Sequence, residues 1–298
     1  MDLKRIDRAI QAYLKDAEPS DAARLEFFRG LFALQQERCD ELEGAAGAVL
    51  VESEGFDEAY LSGRPLLQLY PATIEAPAFA ETCRRISTHL IGRAGLSDEV
   101  SGALGGIDWD GFSRAADLAL AGVDPCGFVE AVRCDGAARE SFGRALDVAV
   151  LVLAFAVRTH VQNTAERLMD AVSTDAKEGN HARPLRCPVC GGAASLSHVG
   201  APEALQGAGR LQFCSACGTA WHFERIRCGS CGSQDQGDLH YHHLDGDAAH
   251  RLQTCDACGS YQRVAFQDDL QVAMCLDVED VVMAKLDRVA LDPRFHRD

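Results

Sequence analysis

Eight cysteines fall into four C-x-x-C pairs, and the pairs obey one rule. Cys187, Cys190, Cys214 and Cys217 map onto Cys228, Cys231, Cys255 and Cys258 by a constant shift of 41 residues. Each second cysteine is followed by glycine: Gly191, Gly218, Gly232 and Gly259. A C-x-x-C turn lets two sulfurs reach one ion from a single tight loop, and two such loops supply four thiolates in a tetrahedron. Glycine at the fifth position allows a positive φ, so the loop can turn backbone N–H groups toward the sulfurs. A match at four positions marks each copy as one structural unit. The pattern therefore predicts two ions, each held by four cysteines.

The segments between knuckles alternate as strands do. Gly209–Phe213, Asp238–His242 and Ser260–Val264 are predicted to form short hairpins beneath them. This is the rubredoxin-like or zinc-ribbon arrangement. Four thiolates suit both iron and zinc, so spacing leaves the ion open between them. Four cysteines fill a tetrahedral site, which argues against a metal-activated water. Two divalent ions with four thiolates each would take the formal net charge of −16 to about −20.

The rest of the chain reads differently. Leu3, Ile6, Ile10 and Leu14 recur at helical spacing, and Ser20 reads as the N-cap of a long amphipathic helix. Thr73–Ala94 and Ala138–Met169 are further predicted helices, the latter with a ten-residue apolar run, Val148–Val157, expected in the middle of a bundle. Breakers at Gly63–Pro65, Gly105–Gly106 and Asp124-Pro125 divide the series into five to seven helices. Cys39, Cys83, Cys126 and Cys134 share no spacing and are expected to fill core space as small hydrophobes, while Cys275 stands alone. The expected fold class is multidomain α plus small β. An irregular all-α bundle spans residues 1–180, two tandem rubredoxin-like or zinc-ribbon units of four cysteines each span 181–227 and 228–270, and a short helix with a tail occupies 271–298.

Charge and length exclude several functions. A net charge of −16 repels phosphate backbones, and residues 181–298 alone carry 11 basic against 15 acidic side chains, so a nucleic-acid-binding zinc ribbon is disfavoured. Ten apolar residues are too few for a membrane span, and the charged start, Met1 to Arg8, does not read as an export signal. A cytoplasmic setting, where thiols stay reduced, is expected. No G-x-S-x-G, Walker A or dinucleotide fingerprint occurs in its required context, and no catalytic residue is assigned. His240, His242 and His243 read as a half-exposed strand. Trp221 suits either a core position between the units or an exposed anchor, and Arg225 and Arg227 read as a solvated face.

The C-terminal half resembles a known family. Cys187-Pro188-Val189-Cys190-Gly191, Cys214-Ser215-Ala216-Cys217 leading into Trp221-His222, Arg225-Ile226-Arg227-Cys228-Gly229-Ser230-Cys231, Leu239-His240-Tyr241 and Cys255-Asp256-Ala257-Cys258-Gly259-Ser260-Tyr261 look like the FdhE-type formate dehydrogenase accessory proteins. The resemblance is dense over residues 186–263. The end of the chain departs from it, with Asp292-Pro293-Arg294-Phe295-His296-Arg297 where some relatives carry a longer tail. The resemblance implies a non-enzymatic, cytoplasmic maturation factor that binds the catalytic subunit of a formate dehydrogenase. It carries over the eight cysteines as ligands and iron as the expected ion. Trp221, His222, His240 and Tyr241 match family positions to which it gives no role. A rubredoxin-like electron carrier or oxygen sensor is the alternative.

Overall fold

The computed structural model describes residues 1–46, 55–201, 209–270 and 272–291; the tail at Asp292–Arg297 lies outside the described residues. The N-terminal region is helical and the C-terminal region holds a small sheet, the fold class that the residue pattern predicts. Up to Glu178, eleven α-helices occur among the described residues, more and shorter than the five to seven expected. The reason is a series of side-chain caps. Ser97, Asp108, Asp117, Asp124 and Asp135 each accept a hydrogen bond from the backbone N–H three residues on, and each starts a helix of six to ten residues. The breakers fall where expected: Gly63 caps Phe56–Ser62 in the left-handed region, and Asp124-Pro125 opens Pro125–Cys134.

Two long helices carry the bundle. The Pro19–Ala46 helix begins one residue before Ser20, so Ser20 lies in the first turn and is not its N-cap. Proline suits the first helical position because its missing N–H would have no partner there. The Leu146–Ala171 helix contains the apolar run and buries Ala149, Val150, Val152, Leu153, Ala156 and Val157. Leu151 points outward and stays 49% exposed. Among the described residues, no helix is long and apolar enough to cross a membrane.

Among the described residues, six strands form one continuous sheet: β1 (Leu196–Ala201), β2 (Gly209–Phe213), β3 (Ala220–Phe223), β4 (Leu239–His243), β5 (His250–Cys255) and β6 (Tyr261–Phe266). Their order is β3-β2-β1-β6-β5-β4. Each repeat makes an antiparallel three-stranded meander. The two meanders join through a parallel pairing of β1 with β6, in which Ser197 faces Val264. The 41-residue shift carries β2 onto β5 and β3 onto β6, but the seam pairs strands that are not equivalent in the repeat.

Arg210 fastens that seam. It is buried on β2 and donates to Ser197 on β1 (3.0 and 2.9 Å), to Gln253 on β5 (2.9 Å), to Gln262 on β6 (2.6 Å) and to the Arg227 carbonyl (2.9 Å). No carboxylate pairs with it among the described residues, and burial pushes its pKa down to about 10. Helices Leu276–Val282 and Ala284–Ala290 follow the sheet; Val278 and Val281 of the first, with Cys275 just before it, pack against Ile6, Ile10 and Phe32 of the N-terminal region.

Candidate metal centre

The four C-x-x-C-G turns share one backbone conformation. In each, the glycine N–H donates to the carbonyl of the first cysteine, at 2.9, 2.8, 3.1 and 2.8 Å in chain order. The first cysteine N–H in turn donates to the carbonyl five residues on: Gly192, Thr219, Ser233 and Ser260. Gly191, Gly218, Gly232 and Gly259 have φ of 77°, 80°, 81° and 66°, the left-handed region where a side chain is strained.

These turns bring the eight predicted cysteines together as two groups of four, with the sulfurs of each group within 4.8 Å of one another. In the first group Cys187 and Cys217 lie 3.5 Å apart, as do Cys190 and Cys214. In the second, Cys228–Cys258 and Cys231–Cys255 are both 3.8 Å apart. Sulfurs about 2.3 Å from one ion at tetrahedral corners stand about 3.8 Å from each other, so both sets fit a four-thiolate iron or zinc.

Local donors favour ionised sulfur at one cysteine of each group, Cys217 and Cys228. The N–H groups of Ser230 and Cys231 point at Cys228 Sγ from 3.4 and 3.5 Å. Burial opposes ionisation of Cys228, but those two N–H groups and the Ser260 hydroxyl outweigh it and bring the thiol down to about 6. In the first group burial likewise opposes ionisation of Cys217, and hydrogen bonds from Cys187, Cys190, Cys214 and Thr219 still lower its pKa; burial raises that of Cys187. Thr219 Oγ1 lies 3.1 Å from Cys217 Sγ, and Ser260 Oγ lies 2.9 Å from Cys258 Sγ. These hydroxyls are related by the same 41-residue shift, a signal present in the sequence but carried by residue types too common to single out.

The surroundings of the two groups differ. Cys187, Cys190, Cys214 and Cys217 belong to the main hydrophobic core together with Phe79, Phe128, Leu153 and Val157 of the helices. The Leu66 and Leu67 N–H groups donate to the Pro188 and Val189 carbonyls at 2.8 and 3.0 Å, which docks the first knuckle on the helical region. Arg158, buried on the Leu146–Ala171 helix and paired with Asp277, reaches the Gly218 turn and places positive charge beside Cys217. In the second group Cys231 and Cys258 are exposed.

The remaining sequence candidates are placed as follows. Trp221 is buried in the helical core, and its indole N–H donates to the Pro184 carbonyl at 2.9 Å. His222 is half-buried near Glu178. His240 and His242 share a face of β4, contacting Asp256 and Thr254 at 3.0 Å each, and Tyr241 accepts from Gln253 at 2.8 Å. Arg225 is exposed, whereas Arg227 stacks over Phe223 and binds Glu224 and the Arg183 carbonyl. Cys39 and Cys83 fill the core as expected, but Cys126 and Cys134 are exposed. Both lie on the short Pro125–Cys134 helix, one at its first turn and one at its end, and neither faces the core row of Phe128 and Val132.

Comparison with known proteins places this geometry. A family model of the FdhE central domain matches residues 186–225, the first knuckle pair and the strands between. Proteins named FdhE from Escherichia coli O1:K1 and from Shigella boydii serotype 18 are 36% identical over 85 residues, which is 28% of this chain. The matched region spans about a quarter, 26%, of those relatives' length. The crystal structure of the FdhE protein from Pseudomonas aeruginosa superimposes with a TM-score of 0.57 at 19% identity, covering 97% of this chain and 90% of that one.

Proposed function

The chain is FdhE-like in its central segment and in its fold, and from that premise we propose that it is a non-enzymatic accessory factor for formate dehydrogenase maturation. It binds the catalytic subunit of that enzyme, acts in the cytoplasm, and has no nucleic-acid partner. Cys187, Cys190, Cys214 and Cys217 hold one ion, and Cys228, Cys231, Cys255 and Cys258 hold the other, as iron or zinc. Residues 1–180 form the helical body, 181–227 and 228–270 the metal units, and 271–298 the closing segment. The observation that carries this reading is the completeness of both donor sets: four thiolates saturate an ion and leave no position for substrate. The test is co-purification with a formate dehydrogenase catalytic subunit, alongside enzyme activity in a deletion strain. No interaction and full activity would sink the proposal.

One observation favours a redox role beside it. Cys231 and Cys258 place the second group at the surface, where a thiolate-bound iron exchanges electrons with a partner. Air-oxidised protein that is red and bleaches reversibly with dithionite supports that reading; a colourless, zinc-loaded protein removes it.

A further inference from the structure

A fifth cysteine stands beside the buried group. Cys126 stands at the second position of the Pro125–Cys134 helix, 61 residues before the first knuckle. Its side chain is exposed, and its thiol stands across Gly192 from those of Cys190 and Cys214. Gly192 shows how close the sulfurs come. A Cβ at Gly192 would lie 3.0 Å from Cys126 Sγ, 3.3 Å from Cys190 Sγ and 3.5 Å from Cys214 Sγ. Three sulfurs thus crowd one point beside Gly192. On its other side Cys126 lines a crevice of about 500 Å³ between the helices and the sheet, together with Ser215 and Ala216 of the second knuckle.

The four cysteines of this group are 0–2% exposed, so an ion among them has no direct contact with solvent. Releasing one thiolate there without a replacement leaves a charged sulfur and an under-coordinated ion in the interior, which is costly. An incoming thiolate removes that cost, because one metal–sulfur bond forms as another breaks. We propose that Cys126 is the exchange thiol of the first centre, accepting a thiophilic divalent ion from the crevice and passing it to the buried set. This rests on reading Cys187, Cys190, Cys214 and Cys217 as the ligands of one ion. Loading would replace the four S–H bonds of Cys187, Cys190, Cys214 and Cys217 by four bonds to the ion and send four protons to water, with Cys126 as a thiolate holding the ion first and taking up the Cys190 proton as that sulfur replaces it. No oxidation state changes, and release runs the same steps backwards. The second group needs no such thiol, since two of its own cysteines are exposed.

The test compares the full-length zinc-loaded protein with Cys126→Ser and Cys126→Ala. Zinc is counted, helix content is checked by circular dichroism, and zinc release to excess 4-(2-pyridylazo)resorcinol is followed in time. Two ions are expected in all three proteins. Release from the wild type is expected in two phases, the slower from the first centre. Both variants should slow that phase about tenfold or more and leave the faster one unchanged. Added 2-mercaptoethanol should restore the slow phase in Cys126→Ala, which a merely structural defect would not allow. Equal slow-phase rates in wild type and variants overturn the proposal. So does a variant that binds one ion, since Cys126 would then be an equilibrium ligand. A wild type that binds fewer than two ions overturns the ligand reading itself and the proposal with it, and is distinguished by the count alone.

Discussion

The two cysteine groups are built alike and housed differently. Both use the same turn, the same glycine φ and the same hydroxyl beside the last cysteine. Yet one lies in the main core, bonded through Leu66 and Leu67 to the helices, while the other has two exposed cysteines. Coordination is thus a local property, repeated wherever the 41-residue pattern recurs. Access to the ion, and its importance to the fold, come from what packs around it.

The largest effect expected from this contrast is on folding. A structural tetrathiolate ion contributes about 10 kcal/mol or more of binding free energy that is also folding free energy. Cys217→Ser should therefore lower the thermal midpoint of the helices as well as remove an ion, because its group shares their core. Cys258→Ser should also cost an ion but leave the helical melt nearly in place. The checks are metal counting and thermal melts at 222 nm. Equal shifts in the two variants would break the comparison.

That difference in housing was not legible in the sequence, whereas the groups themselves were. Spacing alone brought out the eight cysteines, and the four glycines announced their φ. β2 matches its predicted span residue for residue, and β4 and β6 overlap theirs closely. The continuous sheet was hidden because its seam pairs β1 with β6, whose partnered residues lie 67 positions apart and carry no shared motif. Cys126 was hidden for a related reason. A cysteine without a spaced partner reads as core, and only tertiary packing sets it beside Cys190. The short helices had a local signal in their Asp and Ser caps, but hydrophobic periodicity cannot register over two turns.

Arg210 tests whether the two meanders are one sheet in energetic terms. Replacing it with methionine keeps much of the volume but leaves Ser197, Gln253 and Gln262 without their shared donor in a buried setting. Arg210→Met should cost about 3 kcal/mol of stability, read from the urea midpoint. If the seam adds nothing beyond the separate meanders, the midpoint will not move.

A third contact, between the ribbon and the two ends of the chain, responds to pH. His250 is buried on β5, with Asp247 at 2.7 Å, Glu279 at 2.9 Å and the Tyr13 hydroxyl at 3.3 Å; Lys285 in turn meets Asp247 at 3.2 Å. Burial alone would lower the pKa of His250, but hydrogen bonds to Asp247 and Glu279 outweigh it and raise it to about 9. Burial would raise Asp247, yet His250 and Lys285 hold it down to about 2. A raised folded pKa gives stability that is fully present below the unfolded value near 6.5 and is lost as pH rises through 9. Roughly 2–3 kcal/mol should disappear across that window. The Asp247 contribution is present above its ordinary value of 3.8 and fades as pH falls toward 2. Denaturation midpoints at pH 6 and pH 9 should therefore differ in the wild type and converge in His250→Gln.

The smallest expected effect returns to the two groups and isolates burial as the variable. Thr219 and Ser260 hold equivalent positions, each with a hydroxyl near the sulfur of the cysteine two residues earlier. Thr219 is 6% exposed, whereas Ser260 is half-buried beside the exposed Cys258. A hydrogen bond to a charged acceptor gains strength where water is excluded, because the local dielectric is lower and no solvent replaces the lost donor. Thr219→Val, which keeps the shape, should weaken zinc affinity at the first centre by about 1–2 kcal/mol. Ser260→Ala should weaken the second by less than about 0.5 kcal/mol, since water substitutes for the hydroxyl. Chelator competition at equilibrium reads both values. If Ser260→Ala costs as much as Thr219→Val, then solvent does not reach the second ion in the way its exposed cysteines imply, and the contrast between the two centres reduces to their neighbours in the fold.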